Sequence, residues 1–250
     1  VFKPLAAVIV AAITALTLGV TLAPAQASAP ASASAPAQAS AQASASAGIK
    51  RAQKRLNTLR CSAGPVDGSF GTWTKSAVIR FQSRHGFAQN GRLDRVTVNR
   101  LYSTKARRCN VRPVPSGTGT GRRIVLARKQ NWLWLVRADG TVAAQGGVVD
   151  NPNMPPGTYR TGSYCGRAAR IKLNRDNSKT LWLDNFVRWA PCGFGFHGIP
   201  RYISNGAPIH ADYILGTNLN ESHGCVRMSK ALSQRVWDFT ERATKVVLKG

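Results

Sequence analysis

Glu221-Ser222-His223-Gly224-Cys225-Val226-Arg227-Met228 is the stretch on which the reading of this chain turns. A cysteine follows a glycine, with a histidine two positions before it and an arginine two after. Cysteine is the best side-chain nucleophile near neutral pH, because it attacks as the thiolate. Gly224 has no Cβ, so a substrate carbonyl can approach the backbone closely. The N–H groups around Cys225 can then face a developing oxyanion. Arg227 adds positive charge that favours the thiolate and can hold a carboxylate through paired hydrogen bonds. The plain alternative is that Cys225 is half of a disulfide and His223 a surface residue, the common fate of such residues in an oxidising compartment.

The cysteine count bears on that alternative. The chain has five cysteines, an odd number. Cys61 and Cys109 bracket a short helical region, and Cys165 and Cys192 both lie in a strand-rich region upstream of the motif. Pairing each within its own region leaves Cys225 as the unpaired thiol. Other pairings satisfy the count equally. A zinc site competes for His197, His210, His223 and Cys225, but their spacing fits no usual zinc signature and no carboxylate stands beside them as a base. No metal and no cofactor is expected.

Residues 1–27 read as a secretory signal peptide. Lys3 is the basic start, Leu5 to Leu22 an apolar run, and Ala25-Gln26-Ala27 a small-residue cleavage site. A membrane anchor is the rival, since the run approaches spanning length; the cleavage site favours removal, so the membrane matters only during export. Residues 28–48 are almost wholly Ala, Ser, Pro and Gln, with nothing to bury, and read as a flexible linker. Lys and Arg outnumber Asp and Glu by 35 to 10, a formal charge of +25. Such excess predicts an anionic partner; export disfavours nucleic acid and leaves anionic wall polymers.

Residues 49–109 carry three short helical patterns. Ile49, Ala52, Leu56 and Leu59 share one face, Thr72 is placed to cap a second helix with Trp73, Ala77, Val78 and Phe81 inward, and Asp94 to cap a third. The turn Val66-Asp67-Gly68 leading to Thr74 is echoed by Gln89-Asn90-Gly91 leading to Thr97. Residues 110–121 break all periodicity with Pro113, Pro115, Gly117, Gly119 and Gly121, and read as a linker. Residues 122–250 hold short β-rich runs, Arg123 to Ala127, Trp132 to Val136, Thr141 to Val149 and Leu181 to Val187, with an Asp139-Gly140 hairpin signal, before a helical tail from Lys230. The fold class expected is multidomain α and β: a small three-helix unit, then a mostly antiparallel β-sandwich.

Ser222-His223-Gly224-Cys225, then a hydrophobic residue and Arg, resembles the active-site motif of L,D-transpeptidases, with seven consecutive positions from Ser222 to Met228 in agreement. Met154-Pro155-Pro156-Gly157-Thr158-Tyr159 resembles another segment of that family. Residues 49–109 resemble a three-helix peptidoglycan-binding domain at Gln53 to Asn57, Val66 to Gly71 and Ala77 to Gln82, with Asn90 and Asp94 departing from the pattern in the second turn. The resemblance implies a cysteine acyl-enzyme that cross-links peptidoglycan stem peptides, and glycan as a further partner. It implies Cys225 as nucleophile, His223 as an orienting residue, and Ser222, Gly224, Arg227 and Gly198 around the substrate or oxyanion. His197, in Gly195-Phe196-His197-Gly198, resembles the family's base and is preferred over His210. His197 leaves 24 residues before Ser222 and His210 leaves 11; the family's usual spacing falls between, and an insertion around 201–208 explains the longer gap. The competing functions are a cysteine carboxypeptidase or endopeptidase on the same scaffold, and a non-catalytic basic wall-binding protein.

Overall fold

The computed structural model describes residues 35–151, 154–190 and 193–250. The expected export signal, the start of the linker at 28–48, and Cys192 lie outside the described residues. Helix α1 (Ala35–Thr58) runs through Ala35 to Gly48, which composition assigned to a flexible linker. Alanine is the strongest helix former, and residues added to an existing helix need no new nucleus. The linker's lack of apolar residues predicted only that it would not build a core.

Helix α2 (Thr72–His85) starts one residue earlier than expected, with Gly71 rather than Thr72 as N-cap, and α3 (Arg95–Leu101) is capped by Asp94, which accepts from the Thr97 N–H at 2.8 Å. Ala52, Leu56, Leu59, Ala77, Val78, Phe81 and Leu101 form the core of this unit. Trp73, expected inward, is 47% exposed. It lies in the first turn of α2, past the end of that small core, with its ring 5.2 Å from that of Tyr213. A disulfide joins Cys61 and Cys109, with the Cα atoms 5.0 Å apart.

The echo in sequence is an echo in hydrogen bonding. Gln53 Nε2 donates to Asp67 Oδ1, Ser69 O and Thr74 Oγ1, while its Oε1 accepts from Gly68 N–H. Gln82 Nε2 donates to Asn90 Oδ1, Arg92 O and Thr97 Oγ1, while its Oε1 accepts from Gly91 N–H. Each buried glutamine thus ties a turn to the helix that follows it. Asn90 serves where its counterpart is Asp67 because the turn needs only an acceptor oxygen.

The second unit is built from β1 (Arg123–Ala127), β2 (Trp132–Val136), β3 (Val142–Val149), β4 (Gly157–Arg160), β5 (Arg170–Arg175), β6 (Leu181–Arg188), β7 (Gly195–Gly198), β8 (Arg201–Tyr202), β9 (Val226–Met228), α4 (Lys230–Phe239) and β10 (Lys245–Lys249). The strands join into one sheet in the order β4-β10-β1-β2-β3-β9-β7-β6-β5, with β8 on β6. Most pairs are antiparallel, as expected; β1 with β10 and β7 with β9 are parallel. The sheet curls, so that Ile124, Leu126, Leu133 and Leu135 from one half share a core with Val187, Phe196, Val226 and Met228 from the other. Leu232, Val236 and Phe239 of α4 pack into the same core.

Residues 110–121 are not a loose linker. Arg112 is 1% exposed, its guanidinium lies 4.2 Å over the Trp132 ring, and its carbonyl accepts from Trp134 Nε1. Its Nη1 donates to Ser83 Oγ and Gln130 O. Arg80 of α2 donates to Cys61 O, Ser62 O, Tyr213 O and Leu215 O. Two buried arginines therefore dock the helical unit on the sheet unit, each satisfied by backbone carbonyls rather than by carboxylates. Periodicity could not reveal this, because one side chain does the anchoring in a segment otherwise rich in Pro and Gly.

Candidate active site

The site lies on the face of the sheet opposite the core, where β6, β7 and β9 run side by side. Val187, Phe196 and Val226 point into the core. Their chain neighbours must point the other way, because side chains alternate along a strand. Arg188 pairs with Gly195, and His197 pairs with Arg227. One step before the first of the β7–β9 pairs, Cys225 stands beside Gly195. Phe186, Arg188, His197, Cys225 and Arg227 accordingly line one cavity of about 700 Å³, together with Ser222, His223, Gly224 and Phe194.

Gly195 keeps this face open. A Cβ there would lie 2.4 Å from the Phe186 ring. The glycine lets Phe186 lie flat over the strand, with its ring stacked near that of His197 at 6.1 Å. Asn185, at φ 56°, bends β6 and reverses its alternation, so Leu183 before it and Phe186 after it both reach the cavity. Asn185 is held by a hydrogen bond from its Nδ2 to Ser233 Oγ on α4.

Cys225 carries the chain's free thiol among the described residues. Cys165 is in a disulfide; Cys192 lies outside the described residues. The Cys225 thiol donates to Gly193 O at 3.4 Å, and the Gly195 backbone hydrogen-bonds the sulfur. Burial pushes the thiol pKa above its ordinary value, against the opposing effects of Gly195, Arg227 and Arg188. His197 is 2% exposed, and burial lowers its pKa to about 4. Its Nδ1 is 2.6 Å from Gly198 O. A carbonyl can only accept, so Nδ1 carries the proton and Nε2 the lone pair. His197 and Cys225 are diagonal neighbours on adjacent strands, about 8 Å apart at Cα from ordinary strand spacing. They share the cavity without a direct hydrogen bond.

The motif loop is held from behind. Ser222 N–H donates to Asp150 O at 3.0 Å, and the Asp150 carboxylate pairs with Arg128. Gly224 N–H makes a long bond of 3.4 Å to Ser222 Oγ. Arg227 donates to Asn220 Oδ1 and Glu221 O. His223 is exposed at the rim. Gly198 stands apart from the other candidates: a Cβ there would face Ser233 of α4, and its carbonyl fixes the His197 ring. His210 does not line the cavity, although Ile209 does. Its Nδ1 is 3.0 Å from Ala211 O, and burial lowers its pKa. Sequence reasoning missed Phe186, Arg188 and Phe194. Strict alternation from Leu181 puts Val187 on the outward face, and the bend at Asn185 is what reverses it.

Residues 113–248 match the family model of the L,D-transpeptidase catalytic domain, and residues 45–101 match that of a peptidoglycan binding domain. The first match spans more than half of the chain, and the chain belongs to the L,D-transpeptidase catalytic-domain family. Among solved structures, an L,D-transpeptidase from Xylanimonas cellulosilytica is 20% identical over 80% of this chain and 92% of its own, with a TM-score of 0.45. An L,D-transpeptidase from Stackebrandtia nassauensis is 18% identical over 81% of this chain and 90% of its own, with a TM-score of 0.41. No curated protein matches the chain.

Proposed function

We propose that the protein is an exported cysteine L,D-transpeptidase that cross-links peptidoglycan stem peptides, with its helical unit bound to the wall. The observation that carries this reading is the one cavity lined by both a free thiol and a neutral imidazole. Cys225 attacks the carbonyl that joins diaminopimelate to D-alanine in a donor tetrapeptide. His197 Nε2 takes the thiol proton during attack, since the raised thiol pKa and lowered imidazole pKa leave both groups neutral at rest. Gly224 N–H, released from its long bond to Ser222 Oγ, and Cys225 N–H hold the oxyanion. The C–N bond then breaks, the proton passes from His197 to the departing amine, and a thioester remains on Cys225. The side-chain amine of an acceptor stem displaces the thiolate to form the cross-link. His223 orients the loop at the rim, while Arg227 braces it and keeps the potential positive.

The Cys61–Cys109 disulfide and the peptidoglycan binding match support an extracytoplasmic, wall-associated site. Among the described residues, no helix is long and apolar enough to cross a membrane. Incubating the protein with purified tetrapeptide stems and weighing both protein and products tests the reading. It expects a thioester adduct on Cys225, cross-linked dimers, and neither product from Cys225→Ala. Tripeptides without dimers would instead mark a carboxypeptidase, and no adduct at all would leave a wall-binding protein.

A further inference from the structure

Arg188 is 2% exposed and lines the cavity, yet its Nη1 has no hydrogen-bond partner among the described residues. Its Nε donates to Ala168 O at 3.2 Å, and its guanidinium carbon lies 5.0 Å from the Phe186 ring centroid. Neither ion pair found among the described residues, Arg128 with Asp150 or Arg201 with Asp184, involves it. Of the other charges that line the cavity, Arg167 is exposed to solvent. Arg227 is engaged with Asn220 and Glu221, and Arg175 lies over the Trp182 ring in an exposed position. Asp176, the one carboxylate in the lining, accepts from Ser178 Oγ and from the N–H groups of Thr180 and Leu181. A buried cation with an unmet donor is costly, and such a group in a cleft marks a place where an anion binds.

Its position relative to the thiol narrows the anion. Arg188, Gly195 and Cys225 stand in line across three adjacent strands, and the residue between the other two has no side chain. Two strand spacings put the Cα atoms of Arg188 and Cys225 about 10 Å apart. The Arg188 guanidinium, held on the β5 side by its bond to Ala168 O, lines the same cavity as the Cys225 sulfur, and the two charges interact. A carboxylate bound at Nη1 therefore shares one cavity with a carbonyl held at the thiol. Arg188 lies on the β6 side of Cys225 and Arg227 further along β9, so the anion does not compete with the bonds that brace the motif loop.

We infer that Arg188 is the anchor for the free C-terminal carboxylate of the acyl donor, and that it selects donors ending one residue beyond the attacked carbonyl. The inference rests on the acyl-transfer reading above and deepens it by naming what the site recognises in the leaving group. In the step itself the sulfur–carbon bond forms and the amide C–N bond breaks. The thiol proton passes through His197 to the leaving amine, and the carboxylate departs with that amine unchanged.

Thioester formation on Cys225 can be timed by intact mass with three donors: the tetrapeptide stem, its C-terminal amide, and the stem amidated at the diaminopimelate side-chain carboxylate. In the wild-type protein the C-terminal amide should lose roughly tenfold or more in kcat/KM, the size expected for one charge-assisted hydrogen bond. Arg188→Gln should slow the free acid by the same factor and leave the C-terminal amide unchanged. Arg188→Lys, which keeps the charge and stem and guards against a folding defect, should restore part of the preference. Iodoacetamide labelling of Cys225 and the Tm report whether the site survives each change. Equal acylation of acid and C-terminal amide by the wild type overturns the inference and leaves the transpeptidase reading standing. So does a preference that persists in Arg188→Gln, or one that follows the side-chain carboxylate. Failure of the wild type to be acylated by any donor overturns both.

Discussion

Cys225 and His197, the proposed nucleophile and base, rest at opposite protonation extremes. Burial raises the thiol and lowers the imidazole to about 4, so no thiolate–imidazolium pair stands ready in the free protein. Two consequences can be measured. Alkylation of Cys225 by iodoacetamide should be slow at neutral pH and climb only above the ordinary thiol range; a fast, pH-independent reaction would show a preformed thiolate. Acylation by the donor should hold its rate down to mildly acidic pH and fall as His197 protonates near 4, whereas an unperturbed histidine would fall near its ordinary value of about 6.5. His197→Ala should cost about 100-fold or more in acylation, and His210→Ala little. Stability follows the same sign. His197 is neutral when folded and protonates near its ordinary value when unfolded, so its contribution is full above about pH 6.5 and is lost as pH falls toward 4. The choice between the two histidines was only partly legible. Spacing favoured neither, and the strand pairing of His197 with Arg227 decides which ring faces the cavity.

At the scale of single elements, β6 was read from the sequence almost to its ends, but the two strands beside it in the site, β7 and β9, were hard to read. β1, β2 and β3 were legible because each is long and bounded by turn residues. β9 spans three residues and β10 five, too few to show a clear period, and their partners β7 and β1 are remote in sequence. β7 was visible only through its resemblance to a motif. The bend at Asn185 was invisible, and with it the reason Phe186 and Arg188 share a face. Gly195 tests this geometry. Gly195→Ala pushes a methyl against the Phe186 ring, which should cost about 1–3 kcal/mol of stability from overpacking. It should also reduce acylation more than it reduces Tm-matched controls, because Phe186 and Arg188 move with the ring. An unchanged melting curve would show that β6 can give way without loss.

The whole molecule is less divisible than its sequence. The break at 110–121 suggested two separable units, yet Arg112 fills the seam over Trp132, and Arg80 holds the carbonyls of Tyr213 and Leu215 on the segment that leads to the motif. A fragment of residues 122–250 loses both arginines and uncovers the Trp132 and Trp134 face. It should melt at least about 5 °C below a fragment of residues 49–250, the shift that ~1–2 kcal/mol produces in a domain of this size. Arg80→Met in the full chain should lower acylation without changing the ring chemistry of His197. Equal melting of the two fragments would mean that the units merely touch.

The Cys61–Cys109 disulfide, which spans a sequence separation of 48, also sets how the protein answers a pull. Tension applied through α1, with the sheet unit held by its substrate, passes along the chain to Cys61 and crosses the sulfur bridge to Cys109. It then reaches Arg112 only three residues later. Helices α2 and α3 hang outside that load path and stay folded while the strain falls on the arginine seam. A pull on the helical unit would therefore tug first at the contacts beside the motif loop, and α2 and α3 would be the last part to give.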